Sequence, residues 1–255
     1  MHLEPSLCTQ RLGAVIAAFA LSLPCASLAA VSSTASLTAL QFELLDLNTS
    51  DGVAPSITFS PSGRSSVTGQ VDGLTLFQTY GTSGFGSLSE SASNGPIGVQ
   101  ASVDSSGLSA AGSASGLGYY FVYSYAPDID KGFTLSPHTR LSVTVEYSLL
   151  ATMGASDSGF AAAYVTIAIY DPASNPFQYA VQDQAFASVV SGMDAKAGNL
   201  QITFENNGST ALARNFYGYA KADGALSPIP EPSALTLALS GACVLGTVLR
   251  RRRRI

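Results

Sequence analysis

The chain has 255 residues, 46% hydrophobic and only 11% charged, with 24 glycines, no tryptophan and a formal net charge of −5. Of its 12 Lys and Arg, five are Arg250, Arg251, Arg252, Arg253 and Arg254, while residues 31 to 228 hold six against 15 Asp and Glu, a net of about −9 for the body. An acidic body with its positive charge gathered at one end argues against a nucleic-acid partner.

In chain order, the first feature is LGAVIAAFALSL at residues 12 to 23, an apolar stretch of signal-peptide length behind Arg11 and ahead of the helix breaker Pro24. The small-residue run that follows places signal-peptidase cleavage after Ala29, with Ser27 and Ala29 in the small positions before the cut, so residues 1–29 are read as a signal peptide. A lipoprotein would use Cys25, but Pro24 departs from the small residue expected before it. Cys8 and Cys25 leave with the signal and Cys243 lies near the other end, so the exported body has no cysteine. Its roughly 200 residues must hold together by core burial, without disulfides.

The body, residues 30–226, reads as β-rich. In RLSVTVEYSLLA, Leu141, Val143, Val145 and Tyr147 point one way while Ser142, Thr144 and Glu146 point the other, the pattern of a half-buried strand. Similar bursts are SLTALQFELLDL, SITFS, LTLFQTY, GYYFVYSYA, AAYVTIAIYD, PFQYAVQ, NLQITFEN and LARNFYGYAKA. Turn formers separate many of them: Asp51-Gly52, Asn94-Gly95-Pro96, Asp171-Pro172, Asn207-Gly208 and Asp223-Gly224. Nine or so short strands predict an all-β, antiparallel β-sandwich, of which the jelly roll is one form. Gly81 to Gly118, dense in Gly, Ser and Ala, is either a long loop or a set of small-residue strands.

Residues 227–255 form a tail. Ser233 to Leu249 is a charge-free run of 17 residues; as a helix it would be about 25 Å long against a hydrocarbon core of about 30 Å, enough for a single transmembrane helix. The arginines would stay cytoplasmic and stop translocation, leaving Pro230, Glu231, Pro232 and the body outside the inner membrane. The two prolines forbid helix and hold Glu231 extended beside the membrane.

A signal peptide, then Pro230-Glu231-Pro232, the run Ser233 to Leu249 and Arg250 to Arg254 together resemble the PEP-CTERM sorting signal of Gram-negative envelope and extracellular proteins. The resemblance covers about a tenth of the chain. It implies recognition by an exosortase, a membrane-embedded transpeptidase-like cysteine protease, in bacteria that make exopolysaccharide. GFTLSPHTRLSVTVEYSLLA is also similar to stretches in other exported proteins with this tail, and no activity comes with that likeness.

Catalytic chemistry finds little support in the body. His138, in the turn SPHTR, is the one histidine left after processing, so a Ser-His-Asp triad would have to use it. The nearest thing to a nucleophile elbow, Gly107-Leu108-Ser109-Ala110-Ala111, lacks the second glycine and the strand-to-helix setting. Glu43, Glu90, Glu146 and Glu205 could supply a glycosidase pair, although Glu43 and Glu146 fall on the polar phase of their strands. Two acidic loops could offer oxygen ligands to calcium, through Asp46, Asn48 and Asp51 and through Asp128 and Asp130, but neither completes an EF-hand and turn chemistry explains both. Sugar stacking could use Tyr119, Tyr120, Tyr123 and Tyr125, with Phe216, Tyr217 and Tyr219 nearby. Period two places Tyr119, Phe121, Tyr123 and Tyr125 on one face, and a face that aromatic is expected to be core.

The sequence therefore predicts an exported, non-catalytic cell-surface or extracellular matrix protein, sorted through its tail and associated with exopolysaccharide or biofilm. The second reading is a carbohydrate-binding module and the third an exported glycoside hydrolase.

Overall fold

The computed structural model describes residues 30–60, 65–81, 87–126, 132–155, 158–171, 173 and 179–227. The expected signal peptide, sorting motif, transmembrane run and arginines, together with Asp128 and Asp130, lie outside them. The described residues hold fourteen strands: β1 Val31–Asp46, β2 Ile57–Phe59, β3 Ser66–Val71, β4 Leu74–Tyr80, β5 Leu88–Asn94, β6 Ile97–Asp104, β7 Gly107–Ala114, β8 Gly118–Ala126, β9 Phe133–Leu135, β10 Thr139–Met153, β11 Ser158–Tyr170, β12 Tyr179–Val189, β13 Gly192–Asn206 and β14 Leu212–Ser227. All their pairings are antiparallel.

Alternation drives the layout. In the middle of β10, Leu141, Val143 and Val145 are buried with Ser142 and Thr144 half-exposed between them, as the period-two reading predicts, while Tyr147 on the same face is only half-buried. β1 changes phase midway: Val31, Ser33, Ala35 and Leu37 are buried, then Leu40, Phe42 and Leu44 pack on the core. A bulge between Thr38 and Gln41, with Ala39 at φ 53°, absorbs the extra residue that shifts the phase.

One sheet has six strands in the order β13-β10-β1-β7-β6-β5; the other has eight, β12-β11-β14-β8-β3-β4, with β9 and β2 added beside the start of β14. The sheets face each other: β7 packs on β8 and β14, β1 on β14 and β11, and β10 on β11 and β12. Between them lies one apolar cluster drawn from both. The rims are tied by side chains. Asp183 of β12 accepts the Gln201 N–H of β13 at 2.9 Å, Asp194 of β13 accepts the Ser188 N–H of β12 at 3.1 Å, and Thr79 of β4 donates to Glu90 of β5 at 3.0 Å. Such ties occupy groups that an open sheet edge would offer to another chain.

The undecided tract from Gly81 to Gly118 is mostly strand where it is described. It supplies β5, β6 and β7, a meander turned at Gly95-Pro96 and at Ser105-Ser106, where the Asp104 carboxylate accepts the Ser106 and Gly107 N–H groups. Asp223-Gly224, expected as a turn, instead lies within β14. Gly224 is there for close packing, because a β-carbon would lie 2.6 Å from the Tyr120 hydroxyl.

Tyr120 is the side chain that spans the layers. It is 0% exposed, points inward from β8, and its hydroxyl meets Ser33 Oγ of β1 at 2.9 Å, while Ser33 donates to the Asp223 carbonyl at 3.1 Å. Its ring lies over Gly112 of β7, where any β-carbon would overlap it. Small residues opposite a large one are what let two sheets interlock at native density.

Candidate functional site

The other side of β8 is the outside of the molecule. Tyr119, Phe121, Tyr123 and Tyr125 alternate with buried Tyr120, Val122 and Ser124, and they lie half-exposed on the outer face of the eight-stranded sheet. The expectation that this aromatic face is core therefore fails. The physical reason is in β14, whose inward positions are Gly218, Ala220, Ala222 and Gly224 while Tyr217, Tyr219, Lys221 and Asp223 point out. The inner volume is filled across the sheets by Tyr120 and aliphatic residues, and the remaining rings cover one another outside.

Register assembles them into a band. Across β12, β11, β14 and β8, Phe186 stands beside Tyr164, Tyr164 beside Lys221 and Lys221 beside Tyr123; one step along, Tyr219 stands beside Tyr125. Ring centroids lie 5.8 Å apart for Tyr217 and Tyr219 at an interplanar angle of 16°, 5.7 Å for Tyr123 and Tyr219, 5.8 Å for Tyr125 and Tyr217, and 6.1 Å for both Tyr164 with Tyr219 and Tyr179 with Tyr217. Contacts of this kind hold ring orientation beyond simple burial. Burial pushes the Tyr217 and Tyr219 hydroxyls well above the usual phenol range, and neighbouring tyrosines push the same way. Tyr164 Oη donates to Gln184 Oε1 at 2.7 Å.

Polar groups are set into this band. Lys221 Nζ lies 3.1 Å from Asp223 Oδ2 and 4.8 Å from the centroid of the Phe121 ring, so ion pair and ring face hold it from two sides. Beside them is an open depression of about 710 Å³ between β12, β11 and β14, lined by Phe160, Tyr164, Phe186, Tyr219, Lys221 and Asp223 among others. That volume is within the range of about 300–1,000 Å³ typical of ligand sites.

Of the sequence-predicted stacking residues, Tyr119, Tyr123 and Tyr125 lie on this face and Tyr120 does not, since it fills the core. Phe216 is also core, at 2% exposure. The sequence reading missed Phe160, Tyr164, Tyr179 and Phe186, and the Lys221–Asp223 pair. The signal was present as period two in β11 and β14, where outward Phe160 and Tyr164 alternate with Ala161, Ala163 and Val165.

The remaining candidates are scattered. His138 sits in the β9–β10 turn at φ 47°, with Nε2 4.0 Å from Asp51 Oδ2. Ser109 lies mid-strand in β7, where its Oγ meets Ser102 Oγ at 2.7 Å. Glu205 is held by Arg140 at 2.7 Å, and this pair together with Asn207 keeps its carboxyl below the usual range. Glu43 pairs in register with Ser142 and Glu146 with Thr38. Four residues of strand therefore separate the two acids, roughly 13 Å, beyond the about 5–10 Å over which paired carboxylates cleave glycosides. Asp46, Asn48 and Asp51 accept the N–H groups of Asn48, Ser50 and Val53, so turn hydrogen bonds occupy one oxygen of each. Among the described residues no group of three or more His, Cys, Asp or Glu could hold a metal ion.

No curated protein matches the chain. A family model does: the PEP-CTERM protein-sorting motif matches residues 228–254, which contain Pro230-Glu231-Pro232, the apolar run and the arginines. This chain therefore carries a PEP-CTERM protein-sorting motif, which implies export and membrane-associated sorting to the cell surface through an exosortase.

Proposed function

We propose that the body is a non-catalytic glycan-contacting protein of the cell surface or extracellular matrix, holding exopolysaccharide through the outer aromatic face of its eight-stranded sheet. The observation that carries this reading is the band formed by Tyr123, Tyr217, Tyr219 and Tyr164, oriented by mutual ring contacts and half-exposed on the outside of a sheet whose interior is already filled, with Tyr179 and Phe186 exposed beside it. The apolar faces of pyranose rings match such a surface in shape, and a contiguous exposed apolar patch marks an interaction site more often than it marks chance. Carbohydrate binding, the second reading from sequence, thus becomes the means by which the first is carried out.

In this scheme signal peptidase removes residues 1–29, Ser233 to Leu249 pauses in the inner membrane, and the arginines hold it there until an exosortase acts near Glu231. Intact mass of the natural product, running from about Ala30 to the neighbourhood of Glu231, tests that route; retention of Ile255 in a membrane pellet counts against processing. The binding claim is tested by affinity electrophoresis of the protein purified from its exporting host, through gels containing that host's own exopolysaccharide. Retardation that is lost in Tyr217→Ala/Tyr219→Ala is expected, and free migration of the unaltered protein would refute it. Turnover on a polysaccharide panel, abolished by one Glu or Asp substitution, would refute the non-catalytic part.

A further inference from the structure

The depression beside the aromatic band carries a more specific reading, which rests on the glycan reading above: we propose that it is a subsite for an uncharged sugar ring, recognised by its adjacent hydroxyls rather than by a carboxylate or an amine. The walls are Phe160, Tyr164, Tyr219 and Phe186, the last 50% exposed and opposite Tyr164 in register. At one side stand Lys221 and Asp223, two positions apart on β14 and therefore pointing the same way.

Their geometry sets the selectivity. Nζ and Oδ2 are 3.1 Å apart, which places one strong donor and one strong acceptor side by side. Two neighbouring hydroxyls of a pyranose can answer both at once, one accepting from the ammonium and the other donating to the carboxylate. Such charge-assisted hydrogen bonds are the strong ones. A uronate carboxylate approaching Lys221 would meet Asp223 at the same distance, and an amino-sugar ammonium approaching Asp223 would meet Lys221. The pair is internally neutral, so no net local field draws either ion. The body's 15 acidic against six basic residues adds repulsion toward a polyanion and a non-specific attraction for a polycation that moderate salt screens. Phe121, under Lys221 at 4.8 Å, keeps the ammonium from swinging out to form a free cationic site.

The test is titration of the purified full-length exported protein against dextran (neutral), alginate (a uronate polymer) and chitosan (an amine polymer), by calorimetry at moderate salt. Dextran is expected to bind, and alginate and chitosan to bind at least tenfold more weakly. Asp223→Asn leaves size and shape unchanged and frees Lys221. It is expected to weaken dextran about tenfold and to strengthen alginate, while Lys221→Met weakens dextran by a similar factor without that gain. Circular dichroism of each variant checks that the fold is intact, and Asp223→Asn, the milder change, decides if Lys221→Met unfolds. Tighter binding of alginate or chitosan than of dextran by the unaltered protein, or dextran binding indifferent to both substitutions, would overturn the subsite while leaving the aromatic platform standing. Binding of none of the three, together with failure to bind the host's own exopolysaccharide, would overturn both.

Discussion

The two outer faces of this molecule differ far more than the two inner ones. Across the six-stranded sheet, register aligns Ser89, Ser102, Ser109, Ser36 and Ser148 in one row over five strands, and Ser93, Gly98, Ser113, Ser32 and Thr152 in another. Two pairs of these hydroxyls meet, Ser32 with Thr152 at 2.6 Å and Ser102 with Ser109 at 2.7 Å. The outer face of the eight-stranded sheet carries rings and the Lys221–Asp223 pair. Inward, both sheets use the same aliphatic and small residues. Short hydroxyls and the Arg140–Glu205 pair thus cover the outer face of the six-stranded sheet while half-exposed rings cover that of the eight-stranded one, and under the glycan reading proposed above recognition falls to the second.

The comparison breaks most severely from inside. Tyr120→Ala removes the ring that spans both layers and one of the two hydrogen bonds of Ser33, and is expected to cost about 3–5 kcal/mol; Gly112→Val, which drives a side chain into that ring, should act comparably. Urea denaturation followed by circular dichroism measures both. If either cost no more than a typical surface change, the interlocked core described above would be wrong.

Alkali should separate the faces next. Tyr120, Tyr217 and Tyr219 all have phenol groups raised above the ordinary value of 10.0, chiefly by burial. The unfolded chain then releases these protons first, so stability is full below about pH 10 and falls as pH rises past it. The urea midpoint is expected to drop there, with phenolate absorbance appearing as the protein unfolds. Tyr217→Phe/Tyr219→Phe should flatten the fall.

On the aromatic face, Tyr217→Ala is expected to cost about 1–2 kcal/mol through lost ring contacts, with the glycan effect far larger than the stability effect. Beneath that face, the Thr68 hydroxyl is buried without a hydrogen-bond partner among the described residues. Thr68→Val keeps its shape and should stabilise by about 1 kcal/mol. The smallest effect belongs to the serine face, where Ser36→Ala should stay within about 0.5 kcal/mol of the unaltered protein in the same assay and leave glycan retention untouched.

Strand grammar was legible where alternation was strong. β10 and the second half of β1 stand out in sequence because their inward and outward residues differ in polarity, and β8 because it is a run of aromatic and β-branched residues. β3 did not, because Gly69 interrupts SVTGQV, and only the structure supplies the reason: a β-carbon there would lie 2.5 Å from the Phe77 ring. β5 to β7 were undecidable, since Ser, Ala and Gly suit a loop as well as a tightly apposed strand. Composition groups Tyr120 with its neighbours as a stacking residue, although its parity sets it apart from Tyr119 and Tyr123. Asp223-Gly224 looked like a turn because the dipeptide favours one locally. Pairing with Ala162 and Ala161 on one side and with Phe121 and Tyr120 on the other overrides that preference.

By itself the sequence determined the β character of the body and the sorting tail at residues 228–254, because alternation and an ordered run of motif, apolar stretch and charge are local properties of a chain. Which aromatic side faces out was decided only by the tertiary structure. Period two says that Tyr119, Phe121, Tyr123 and Tyr125 share a face, but it is symmetric between the two faces of a sheet. The symmetry is broken by the opposing layer, where Gly112 and Ser33 of the other sheet receive Tyr120 and leave the remaining rings to the solvent.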